Sequence, residues 1–202
     1  MGRREERRRA RQGEAVVHAL ALYREGGYSG LTMATLAERM GASVGGLYRY
    51  FPSKADLVVA LQHEALSRFM VHMIDALEHV NAPWERVTTV AQSWASFRSA
   101  APVEFKLLND AVAESERQLD DDRAKDVDAQ VSEVLEVLAN ELRDAANKGA
   151  IKPGPSLTRA YMLWASLHGL EQLRKRDSRQ PEELKVDALT AALLSDLRRA
   201  WS

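Results

Sequence analysis

Three groups of side chains in this sequence have types and spacings that could do chemistry. Gly41-Ala42-Ser43-Val44-Gly45 satisfies G-x-S-x-G, the pattern that holds a hydrolase serine on a strained turn between a strand and a helix. A helical pattern precedes this serine and no sheet is available, so Ser43 reads as a helix cap instead. His72, Asp75 and His79 stand at i, i+3 and i+7, which would put three metal-ligating side chains on one helix face. On a long charged helix such a spacing is more often a solvated face, and neither a metal nor another cofactor is expected. The third group is Arg3, Arg4, Arg7, Arg8, Arg9 and Arg11, guanidiniums able to pair with anions. No nucleophile–base pair, metal triad or phosphate loop can be assembled from these groups, so the chain is not expected to be an enzyme.

The charge around the arginines is uneven. The 202 residues carry a net charge of −1, yet residues 1–54 hold 10 Lys and Arg against 5 Glu, while the remainder holds 18 against 24 Asp and Glu. A basic head of +5 therefore precedes an acidic body of −6, and a basic head is the electrostatic footprint of a nucleic-acid partner. Cysteine is absent, which excludes disulfide frameworks and thiolate metal sites and suits a reducing compartment. No apolar run approaches the roughly 20 residues of a membrane helix, and the arginine-rich start lacks the pattern of a secretory signal. The expected location is cytoplasmic, with no membrane partner.

Apolar residues recur at three- and four-residue steps almost throughout, which predicts an all-α chain of about nine helices. The first runs from about Glu5 to Glu25 and stops at Gly26-Gly27. Thr32 is placed to cap a second helix, Met33 to Met40, and Gly41 ends it. Ser43 caps a short third helix carrying Leu47 and Phe51, closed by Pro52, and Ser53 caps the fourth. From Lys54 the pattern is unbroken to about Val80, a rod of about 40 Å at 1.5 Å per residue. Further helices are expected from Pro83 to about Ser99, Pro102 to about Gln118, Asp120 to Asn147, about 156–177 and 181–201. The domain boundary implied is 1–53 for the head and 54–202 for the body.

Thr32 to Phe51 has the spacing of a helix-turn-helix, in which the second helix enters the DNA major groove and its first residues face base edges. Ser43, Val44, Gly45 and Gly46 are those residues. Two adjacent glycines cost about 1 kcal/mol each against alanine in a helix, which makes sense where backbone must approach another surface. Tyr48, Tyr50 and Lys54 follow as donors to phosphates, contacts that set position rather than sequence.

Gly27, Thr32, Leu36, Ala37, Gly41, Ser43, Gly45, Leu47, Tyr48, Phe51, Lys54 and Leu57 together resemble the DNA-binding head of the TetR family of transcriptional regulators. The resemblance implies a three-helix head, a homodimer, and a helical body whose small-molecule ligand loosens the grip on an operator. By position it implies that Val44 and Gly45 meet bases, while Thr32, with Met33 beside it, and Tyr48, Tyr50 and Lys54 lie at the phosphates. Position 50 is often His in the family; here it is Tyr50. Trp164, His168 and Gly169 resemble a Trp-x-x-x-His-Gly signature of some members.

The effector is expected among Met70, Met73, Trp94, Phe97, Phe105, Trp164 and His168, residues that would favour an apolar ligand, although the acidic body leaves cations open. The two last helices carry more apolar surface than one packed face requires and are expected to form the homodimer interface. A dimer of this kind spans a near-palindromic operator with half-site centres about 34–36 Å apart, and the arginine arm adds non-specific grip. The rival expectation is a helical metal- or partner-binding module without sequence-specific DNA binding.

Overall fold

The computed structural model describes residues 2–109 and 121–202. Among the described residues all regular structure is helical, as the periodicity predicts. In chain order the helices are α1 (Arg3–Gly30), α2 (Met33–Arg39), α3 (Val44–Leu47), α4 (Lys54–Ala76) and α5 (Pro83–Ala100). Then come α6 (the helical stretch 102–109), α7 (Asp121–Asn147), α8 (Ser156–Leu173), two 3-10 turns (Arg174–Arg179 and Glu182–Leu184) and α9 (Val186–Trp201). The expected end of α6 near Gln118, and Asp120 as the opening residue of α7, lie outside the described residues.

Several boundaries differ from the sequence expectation. The first helix does not stop at Gly26-Gly27 but continues to Gly30 across a kink at Gly27, and the eighth ends at Leu173 rather than near 177, where a 3-10 turn takes over. Three further shifts each have a local reason. The third helix ends at Leu47 rather than near Phe51, because Tyr50 and Phe51 both return their amides to the carbonyl of Leu47, at 2.8 and 2.9 Å, in a tightening turn. The fourth helix ends at Ala76 rather than Val80: three-residue turns follow, one of them from the Val80 amide to the Leu77 carbonyl, and the Arg86 guanidinium donates to the carbonyls of Leu77 (3.2 Å) and Val80 (2.8 Å). The last helix starts at Val186 rather than 181, where the Asp177 carboxylate accepts from the Val186 amide at 3.2 Å and serves an otherwise orphan donor.

The chain forms two compact units. The first comprises Met1–Ser67 and Ala101–Asp128, the second Arg68–Ala100 and Ala129–Ser202. In the first, α1 packs on α2 and α2 on α3 around Ala15, Ala19, Tyr23, Leu36, Leu47 and Leu57, all buried. Burial of each large aliphatic side chain here stabilises by about 1.5–3 kcal/mol. Arg39 adds a two-pronged pair to Glu25 of α1, at 2.9 and 2.6 Å, on the surface. In the second unit α5 packs on α8 and α8 on α9, over a core that includes Val87, Trp94, Leu142, Leu163 and Val186. Arg86 of α5 grips Glu141 of α7 through two parallel bonds of 2.7 and 2.8 Å.

Candidate nucleic-acid interface and effector pocket

The helix-turn-helix is set by side-chain caps. Thr32 accepts from the Thr35 amide at 3.0 Å, and Thr35 Oγ1 accepts in return from the Thr32 amide at 3.0 Å, a reciprocal capping box that fixes where α2 begins. Met33, the first residue of α2, is buried and contributes packing. Gly41 makes the turn at φ +58, a left-handed conformation that other residues adopt at a cost. Ser43 then accepts from the Gly46 amide at 3.1 Å and caps α3. The serine is thus a helix cap preceded by a helix and a turn, not the nucleophile of a strand-to-helix elbow.

Two neighbouring glycines have different reasons to be glycine. A Cβ on Gly46 would lie 3.0 Å from Ser43 Oγ, so that residue makes room for the cap. A Cβ on Gly45 would meet nothing within 4 Å, and its open side leaves the backbone bare to solvent. Val44 (38% exposed) on the same short helix and Tyr48 (47% exposed) directly after it stand out despite their apolar character. Gln12 of α1 donates to the Tyr50 carbonyl at 3.4 Å, which ties the turn after α3 to α1.

Lys54 opens α4, and its position holds a contact with no local sequence signal. Its ammonium donates to the Tyr28 carbonyl at 2.7 Å and lies 3.6 Å from the centre of the Tyr28 ring. Partial burial holds the Lys54 ammonium below the usual lysine range. Next to it, Ser53 accepts from the Asp56 amide (3.2 Å) and donates to the Asp56 carboxylate (2.7 Å), completing the expected cap of α4. Burial would raise the Asp56 carboxyl, but hydrogen bonds from Ser53 and Arg123 outweigh it and hold it below the usual carboxylate range.

In the second unit the expected effector residues are partly assembled. Phe69, Met73, Val90, Trp94, Leu138 and Trp164 are among the walls of an almost wholly apolar cavity of about 30 Å³. Phe69 stands edge-on to Trp94 at 5.4 Å, and His168 lies 6.0 Å from Trp94 and 5.9 Å from Trp164 between ring centres. Burial lowers the His168 imidazole below the usual histidine range, with nearby Glu171 opposing. His168 Nδ1 is buried and has no hydrogen-bond partner among the described residues. Phe97 packs against Phe69 at 5.2 Å beside the cavity, Met70 is half-buried outside its lining, and Phe105 belongs to the first unit. His72 Nε2 pairs with Ser96 Oγ at 2.7 Å, and among the described residues no group of three His, Asp or Glu could hold a metal ion. No described helix is long and apolar enough to cross a membrane.

These features define a helix-turn-helix regulatory protein, and comparison with known proteins gives its family. Residues 16–61 match the family described as bacterial regulatory proteins, tetR family. Residues 87–197, more than half of the chain, match the tetracyclin repressor-like C-terminal domain. The chain belongs to the tetR family of bacterial regulatory proteins. Among curated relatives, the HTH-type transcriptional repressor KstR of Mycolicibacterium smegmatis is 34% identical over 82 residues, 41% of this chain and 40% of that protein. The chain therefore spans less than half the length of this relative in the match. A protein with unknown function from Rhodococcus sp. RHA1 shares the fold with a TM-score of 0.75, at 20% identity over 94% of each chain. So does the regulator FadR from Bacillus subtilis, solved with stearoyl-CoA, with a TM-score of 0.69 at 18% identity over 93% of this chain and 98% of that one.

Proposed function

We propose that this protein is a ligand-responsive, sequence-specific DNA-binding regulator, a repressor released from its operator by a small molecule. The observation that carries the reading is the pair of capped helices joined at Gly41, with Val44 and Gly45 of α3 and the Tyr48 that follows it left open to solvent. In this reading Ser43, Val44, Gly45 and Gly46 enter the major groove. Val44 and Gly45 touch bases there, while Thr32, Tyr48, Tyr50 and Lys54 meet phosphates, with Met33 packed beneath them. Lys54 keeps donors for a phosphate because an ammonium has three, and only one is given to Tyr28. Residues 1–53 form the DNA-binding portion and 54–202 the effector and dimerisation portion.

The effector in this proposal is apolar, and a fatty acyl chain fits the Phe, Met and Trp walls around Met73, Trp94 and Trp164. Stearoyl-CoA in the FadR structure supports that class. A cavity of about 30 Å³ holds a water or two, whereas ligand pockets run to about 300–1,000 Å³. Binding therefore entails displacement of the aromatic walls, and a ligand that favours the widened state shifts the protein toward it. The homodimer forms through α8 and α9, where Leu157, Tyr161 and Met162 (58% exposed) leave an apolar face uncovered on a helix already packed on its other side. Such a dimer works in the cytoplasm on a near-palindromic duplex.

Selection of fragments from random duplex DNA tests the reading. The expected product is a near-palindrome, Val44→Arg changes the preferred sequence, and long acyl-CoA lowers the affinity of the wild type. Failure to protect any duplex at any ionic strength overturns it, as does a Val44→Arg variant with wild-type preference.

A further inference from the structure

In the second unit, packing does not account for the polar end of the aromatic cluster. α5 and α8 lie against each other and change character in step. On α5, Trp94 is followed one turn later by Arg98; on α8, Trp164 is followed by His168 and then by Glu171. Trp94 neighbours His168, with ring centres 6.0 Å apart, and Arg98 Nε lies 3.2 Å from a Glu171 oxygen. The two helices therefore pass together from the walls of the apolar cavity to charged groups within about 10 Å. Two buried nitrogens on this path make no hydrogen bond among the described residues, His168 Nδ1 and Arg98 Nε. Both stand beside Glu171, which is already engaged: Arg174 Nε donates to its two carboxylate oxygens at 2.9 and 2.7 Å. Buried polar groups are nearly always bonded, and each orphan is costly until something meets it.

We infer that His168 and Arg98 set the specificity for the effector, as two donors that meet the oxygen of an acyl carbonyl at the polar end of the aromatic cavity. This assignment rests on the reading of the body as the site of an apolar effector, and it names the group which that effector must carry. Arg98 Nε–H only donates, so the ligand atom opposite it is an acceptor, and a carbonyl oxygen has two lone pairs for two donors. Burial holds the His168 imidazole below the usual histidine range, so at about pH 7 the ring is neutral and carries a single N–H, placed here on Nδ1. A cationic effector is disfavoured: it offers these donors nothing, and Glu171 is held by Arg174. The chain of the ligand lies against Trp94 and Trp164, in the space opened when the cavity walls part. Apolar pockets of this kind take their orientation and specificity from a few placed polar groups. Fatty carboxylates and acyl thioesters share the carbonyl, and both are sources of it.

Calorimetric titration of the DNA-free protein with dodecanoyl-CoA and with S-dodecyl-CoA isolates the carbonyl, because the thioether keeps the chain and the nucleotide but lacks that oxygen. Wild type is expected to bind the thioester at least about tenfold more tightly. His168→Phe keeps a ring beside the tryptophans and removes the donor, so the thioester should weaken about tenfold toward the thioether, whose own affinity stays. His168→Asn, whose amide nitrogen falls near the place of Nδ1, should restore most of the preference. Arg98→Met should weaken the thioester with the same selectivity. Dodecanoate identifies the source. Affinity equal to that of the thioester and lost in His168→Phe assigns the site to the free acid, whereas much weaker affinity with the same loss assigns it to the thioester; each supports the carbonyl contact.

Equal affinity of the wild type for thioester and thioether overturns the inference and leaves the apolar effector standing. So does a His168→Phe variant that weakens both compounds alike, which would make the imidazole part of the packing. Binding of neither CoA compound nor dodecanoate removes the acyl reading of the effector, and the carbonyl site with it. A carbonyl preference with no change in operator affinity keeps the site and removes the ligand-released repressor.

Discussion

Val44 on α3 with Tyr48 directly after it, and Leu157, Tyr161 and Met162 on α8, are all large and all exposed, yet the two helices are built by different means. α3 has four residues, too few to be stable by itself, and is held by the Ser43 cap, the Gly41 turn and the buried Leu47. α8 has 18 residues, no side-chain cap at Pro155, and is held by Ala160, Leu163 and Leu167 packed against α5 and α9. The first helix is an outcome of chemistry within a few residues; the second is an outcome of long-range packing. That difference says where each region is vulnerable, and it can be broken or sharpened by substitution.

The largest effect is expected at the single deep anchor of α3. Leu47→Ala removes a side chain that is 1% exposed and should cost about 2–5 kcal/mol in denaturant unfolding, with loss of any DNA binding that depends on α3. A cost under about 1 kcal/mol would mean that the caps alone hold the short helix. Arg86→Met tests the body: it removes the donor that Glu141 and the Val80 carbonyl share and should cost about 1.5–3 kcal/mol. DNA sequence preference should be unchanged, and a change would erase the contrast between the regions.

Smaller effects probe the caps and the buried imidazole. Thr32→Ala should cost about 1 kcal/mol by removing half of the capping box, while Thr32→Ser should cost less because the hydroxyl remains. His168 gives the mildest signature. Its pKa is lowered in the folded protein, so below the unfolded value of 6.5 the unfolded chain takes up a proton first. Stability should therefore fall as pH drops from about 6.5 toward the lowered value, and stay flat above it with respect to this group. Thermal melts of His168→Gln across that window should lose this part of the slope; an unchanged slope would assign it to other groups.

The contrast also accounts for what the sequence disclosed. Thr32, Gly41 and Ser43 announce α2 and α3 because caps and turns act over three to five residues; the caps by Thr32 and Ser43 are the anticipated ones, and the return bond from Thr35 that completes the box at α2 is an addition. Lys54 was legible as a helix start, but its partner Tyr28 is 26 residues away and is brought there by packing. Arg86 and Glu141 lie 55 residues apart, and neither has a neighbour that betrays the pair. The Trp164 and His168 pattern pointed to the aromatic cluster, yet Phe69 enters it from α4 with no spacing rule to foretell it.

Gly27 interrupts α1 at φ 60 and ψ −156, a backbone state that is essentially reserved for glycine. Its neighbour Gly26 carries no such requirement. Across generations the two codons therefore face unequal odds. Position 26 can wander through many amino acids, whereas every replacement at Gly27 meets the same geometric objection whatever its size or charge. The bend that brings Tyr28 beneath Lys54 is consequently inherited as shape alone, with no side chain to trade for it.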